Sequence, residues 1–151
     1  MTDKPLKLRA KDSEDVQVIS AILQDAIAPV VDMAYRPAEK DFIMIVQRFC
    51  RDEHGGTSFE RVRCAVHVHG VTGAQLHGID QARTEDMLDL LAVMPEANSL
   101  QFVFAGGGRI KLNLADWSLI LEDFGEPWPA MCEPCHEEGS GFGVQGLGKN
   151  A

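Results

Sequence analysis

The order of its patterns constrains what this chain can fold into more than any motif does. One helical pattern near the start is followed by about seven consecutive strand-like segments, identified by their alternation. A second, shorter amphipathic pattern closes the patterned part. The helical pattern opens at Asp12, Ser13 and Asp15, residues suited to a helix start. Val16, Ile19, Leu23, Ala26 and Ile27 then recur at helical spacing, and Pro29 is the expected stop. Leu6-Lys7-Leu8 begins a short extended segment ahead of it.

The strand candidates differ in how they alternate. Residues 30–35 read as the first of the main run, with a turn at 36–40 around Pro37. Residues 42–50 are apolar on both faces near their start, as in a strand covered on both sides. In 61–69, Val62, Cys64, Val66 and Val68 face one way, and Arg61, Arg63, His67 and His69 the other. That is a half-buried strand with a wet face. Residues 71–79 form a weaker strand, loosened by Gly73 and Gly78. Thr84 predicts a short helical entry before a strand from about Leu90. Segments 99–105 and 109–114 flank Gly106-Gly107-Gly108, which predicts a hairpin because glycines supply the positive φ of a tight reversal.

Asp116 then has the chemistry of a helix cap, and Trp117, Ile120, Leu121 and Phe124 fall at i, i+3, i+4 and i+7. The spacing predicts a closing helix ended by Gly125, acting as a structural plug with Trp117 buried. The glycine-punctuated composition after Glu137 predicts a flexible end. The expected organisation is one α+β domain over 1–128 and a flexible C-terminal tail over 129–151.

Size and charge bound the function. A chain of 151 residues with 45% apolar content can bury a core without disulfides or metal. A net charge of -9 argues against duplex nucleic acid or an anionic membrane as a general partner. No stretch approaches the ~20 apolar residues of a membrane span. The first residues lack the apolar core of a signal peptide, so the expected setting is the reducing cytoplasm and the four cysteines are expected to be thiols. Cys50 and Cys64 lie in strand candidates and read as small apolar residues.

Connected strands followed by one amphipathic helix resemble the pleckstrin-homology-like architecture, a bent barrel of about seven antiparallel strands with a C-terminal capping helix. The resemblance covers about residues 30–125 and is topological; the N-terminal helix would be an addition. Two segments, Ile19-Ser20-Ala21-Ile22-Leu23-Gln24-Asp25-Ala26 and Phe102-Val103-Phe104-Ala105-Gly106-Gly107-Gly108, are similar to a bacterial family of small proteins of unknown function. That similarity spans most of residues 6–128 and implies no activity, cofactor or site. Cys132 and Cys135 lie beyond it.

Cys132-Glu133-Pro134-Cys135-His136 is the most tempting chemical motif. It matches the c-type haem attachment pattern, but haem also needs an apolar crevice and an axial partner. As a zinc site, Cys132, Cys135 and His136 supply three soft ligands where a closed site takes four. His54, His67, His69 or His77 would have to complete it. The favoured reading is surface thiols in a loose tail, with no cofactor. A thioredoxin-like role would need the cysteines at a helix start in a βαβ context. His67-Val68-His69 has the strand spacing of some zinc sites, yet its face neighbours are the cationic Arg61 and Arg63, and no local carboxylate joins it. Gly106-Gly107-Gly108 precedes a strand, so it is no phosphate-binding loop. No G-x-S-x-G or H-E-x-x-H pattern occurs.

The expected function is therefore a non-enzymatic binding or interaction domain with a protein or peptide partner, or self-association through a sheet edge. Lipid headgroups are disfavoured, because the loop 36–41 balances Arg36 and Lys40 against Glu39 and Asp41. The alternative is a metal-binding enzyme or redox protein using Cys132, Cys135 and His136. An uncharged small-molecule binder is a third class.

Overall fold

The computed structural model describes residues 6–51 and 59–129. Strand β1 (Lys7–Ala10) precedes the single α-helix of the described residues, α1 (Ser13–Leu23). There follow β2 (Ile27–Pro29), β3 (Met33–Arg36), β4 (Asp41–Arg51), β5 (Phe59–His77), β6 (Met87–Glu96), β7 (Ser99–Phe104) and β8 (Arg109–Pro129). Strands β8, β5, β4, β2, β6 and β7 pair in that order, and β7 returns to β8. Six antiparallel strands thus close into a barrel, which removes most exposed strand edges. β1 adds to β8, and β3 to β4. The protein is mainly β rather than an even α+β mixture.

Helix α1 begins as expected: Asp12 accepts a hydrogen bond from the Asp15 N–H at 2.9 Å. It ends earlier than Pro29, because Asp25 adopts φ 70 and turns the chain into β2. Its stripe of Val16, Ile19 and Leu23 is buried in the same core as the barrel. The Ser20 hydroxyl accepts from the Val93 N–H at 2.9 Å, holding β6 where its register against β7 slips. The inward positions of β4 and β5, among them Phe42, Met44, Val66 and Val68, alternate with outward ones as their spacing predicts. They meet Leu100, Phe102, Ile110 and Leu112 from the glycine hairpin. That hairpin is formed, with Gly106 and Gly107 at φ 86 and 98.

The expected C-terminal capping helix is not formed. Residues 116–124 lie within β8. Asp116 takes φ 54 at an irregularity opposite Gly70, instead of capping a helix. Beyond it Leu119, Leu121 and Asp123 point inward, while Glu122 and Phe124 are exposed: a period of two. The apolar positions fit either period, and long-range pairing decides. In this conformation β8 covers the edge of β5 with residues 118–124 and receives β1 on its other side. A helix would leave both sets of backbone groups to find other partners. Trp117 is accordingly half-buried against the core rather than a plug.

Three smaller expectations also change. Candidates 61–69 and 71–79 form one strand, β5, bent at Gly70. Gly70 has φ +84, and a Cβ there would lie 2.6 Å from the Ala115 carbonyl oxygen. Residues 30–32 are a single 3-10 turn ahead of β3. The helical entry after Thr84 is a pair of turns instead, closed by Arg83 N–H to Asp80 O and Asp86 N–H to Arg83 O. The expected tail over 129–151 lies outside the described residues except for Pro129, the last residue of β8.

Candidate functional site

Two features of the outer surface have the composition of sites. The first is a polar row built by strand register. The turn 37–40 places Arg36 opposite Asp41. β5 sets His69 opposite Asp41 and His67 opposite Ile43. β8 sets Ser118 opposite His69 and Ile120 opposite His67, and β1 brings Arg9 opposite Ile120. Paired residues of an antiparallel sheet share a face, so Arg36, Asp41, His69 and Ser118 form one row with His67 diagonal to it.

Asp41 is the centre of this row and is 3% exposed. Arg36 grips it bidentately, with Nε donating to Oδ1 at 2.9 Å and a terminal nitrogen to Oδ2 at 2.6 Å. His67 Nε2 lies 2.9 Å from the same Oδ2. A carboxylate only accepts, so Nε2 of His67 is the donor in this contact and Nδ1 is the ring nitrogen that Asp41 leaves unoccupied. The His67 and His69 ring centroids are 3.9 Å apart. The Arg36 hydrogen bonds hold the Asp41 carboxyl below the usual carboxylate range against the effect of burial, and His67 helps. Burial and then the neighbouring His67 push His69 below the usual imidazole value, with Asp41 opposing.

Ligand atoms of Asp41, His67 and His69 all lie within 4.8 Å of one another. The sequence signal for this cluster was half visible. His67-x-His69 was legible, but its carboxylate comes from 26 residues earlier, through the β4–β5 register. The cations expected beside the imidazoles are engaged elsewhere. Arg61 donates to Gln47 Oε1 at 3.3 Å and lies 4.8 Å over the Phe49 ring. The charge of Arg63 acts on the buried Asp32, whose carboxyl burial raises to about 6 while Arg63 opposes. Cys132, Cys135, His136 and His54 lie outside the described residues. Cys64 is a buried free thiol whose pKa is pushed up, first by burial.

The second feature is a groove of about 480 Å³ between β3 and the distal half of β5. Its lining includes Met33, Tyr35, Ala74, Leu76 and Ile79, with Gln81 and Thr84 as polar groups. Those five apolar residues are partly buried and pack on the main core, so the core reaches solvent here. The cause is the bend in β5. β4 pairs β5 only as far as Asp41 and His69, and residues 73–77 beyond the bend pair with β8 alone. β3 pairs with β4 alone. Among the described residues, each therefore offers one unpaired backbone edge beside an apolar floor. Sequence reading missed the groove because residues 71–79 read as a separate weak strand, not as one strand leaving its partner.

No helix of the described residues is long and apolar enough to cross a membrane. No curated protein and no solved structure matches the chain. A model of one protein family of unknown function matches residues 6–136. The match runs past the expected limit near 128 and takes in Cys132, Cys135 and His136. The chain thus belongs to that family, DUF2948, a family of proteins of unknown function.

Proposed function

We propose that the protein is a non-enzymatic binding domain that takes an extended, apolar segment of a partner protein into the groove between β3 and the distal half of β5. The observation that carries this reading is the coincidence of an apolar floor with open strand edges. An extended peptide added to the free edge of β3 would gain main-chain hydrogen bonds there. Its alternate side chains would enter the apolar groove, the mode by which sheet edges recognise peptides. The volume falls within the ~300–1,000 Å³ of pockets that bind small ligands, and the sparse polar lining suits orientation rather than chemistry. The remaining likeness to the pleckstrin-homology-like architecture belongs to this proposal. It rests on the antiparallel barrel wall, without the terminal helix.

Selection of displayed heptapeptides on the wild-type chain, each selected peptide then being measured on Ala74→Arg, tests the proposal. Ala74 lines the groove, and a long cation there occupies the apolar floor. The reading expects alternating apolar peptides that bind wild type and lose at least about tenfold in affinity, about 1.4 kcal/mol, on the variant. Peptides that bind both proteins equally would place recognition elsewhere.

A further inference from the structure

We propose that His67 and His69 form a surface binding site for a divalent transition metal ion of the zinc, copper(II) or nickel(II) class, with Asp41 as the residue that positions His67. Three observations carry this. The rings project from one strand face at positions i and i+2, with centroids 3.9 Å apart. Small side-chain rotations can therefore bring one nitrogen of each ring to a shared ion. Asp41 occupies Nε2 of His67 at 2.9 Å, leaving Nδ1 as the ligating nitrogen. A carboxylate behind a metal-binding imidazole fixes its tautomer and raises its basicity. Finally, Arg36 fixes that carboxylate through two hydrogen bonds, so the support is itself supported.

The same geometry sets the ligand class. Imidazole nitrogens select zinc, copper and nickel over magnesium and calcium, which prefer oxygen. Arg36 and His67 together engage the Asp41 carboxylate, so the ion is held by two nitrogens, with water completing its shell. The local charge permits a cation: Asp41 balances Arg36 and Arg61 is held by Gln47, while Arg9 is the neighbouring cation that opposes binding.

The test uses the full chain carrying Cys132→Ser and Cys135→Ser, which removes both thiolate ligands of the C-terminal motif. Zinc is titrated in calorimetry, and the thermal melt of each variant is compared with its parent. One saturable zinc ion with a Kd below about 100 μM is expected. His67→Gln and His69→Gln should each abolish it, and Asp41→Asn should weaken it by about tenfold or more. His67 and His69 are only partly buried, so those two variants should fold. The absence of saturable zinc binding in the chain carrying both serine replacements, or binding unchanged by His69→Gln, would overturn the site. Binding that is lost with both histidines but unchanged by Asp41→Asn would overturn the positioning role of Asp41.

Discussion

Replacing Asp123 by alanine should destabilise the protein by about 3–5 kcal/mol, the usual effect of leaving one half of a buried ion pair behind. Asp123 is 8% exposed and points into the barrel from β8. Arg48 meets it bidentately from β4, Nε at 3.0 Å and a terminal nitrogen at 2.7 Å. The Leu6 N–H donates to its Oδ2 at 2.9 Å, and the Asp123 N–H donates to the Leu6 carbonyl, so the same residue ties the approach to β1 onto β8. Burial alone would raise its carboxyl; the hydrogen bonds from Arg48 and Leu6 outweigh that and keep it below the usual range. Alanine would leave a guanidinium in a barrel interior with its carboxylate gone. A domain of this size changes in Tm by roughly 2–4 °C per kcal/mol, so the melt should fall by roughly 6–20 °C. The double replacement Arg48→Met with Asp123→Leu removes both charges and should recover most of the loss. Urea unfolding of both variants measures this. A loss below about 1 kcal/mol in Asp123→Ala would mean that water reaches the pair and the interior there is not closed. Because the folded carboxyl lies below its unfolded value, this contribution is present above about pH 4 and is lost as pH falls through the folded pKa.

Other perturbations test other joints of the structure. Asp32 is 5% exposed, its Oδ1 has no hydrogen-bond partner among the described residues, and burial holds its carboxyl at about 6. Folded protein then binds that proton more tightly than the unfolded chain, so its contribution is favourable below about pH 4 and is lost as pH rises through about 6. Asp32→Asn should match wild type near pH 4 and be more stable at pH 7 by up to about 3 kcal/mol; equal stability at both pH values would contradict this. Gly70→Ala should destabilise by about 2 kcal/mol or more, since φ +84 strains any Cβ and the Ala115 carbonyl blocks it. A wild-type melt for that variant would show that β5 and β8 can separate at the bend.

How much of this was legible in the chain depends on the range of the interactions. Asp12 capping α1, the alternation of Val62 to Val68 and the turn at Gly106 and Gly107 are local, and each local preference agrees with the fold. Trp117, Ile120, Leu121 and Phe124 carry a stripe that serves a helix as well as one that serves a strand. Only the open edge of β5 and the approach of β1 decide between them, and neither is visible from within the segment. The polar row was hidden for a related reason. His67 and His69 advertise themselves, but Asp41 and Arg36 join them through a register that no spacing rule reports. The groove exists because β5 outruns β4 past Gly70, a consequence of strand length and bend together.

Amide hydrogen exchange on the wild-type chain, with and without a groove-selected heptapeptide, tests the binding account most directly. If a partner segment adds to the free edge of β3, the edge-facing amides within Met33–Arg36 and residues 73–77 should gain protection when peptide is present. Protection confined to the outer face around His67 and His69, or none at either edge despite saturating peptide, would contradict it.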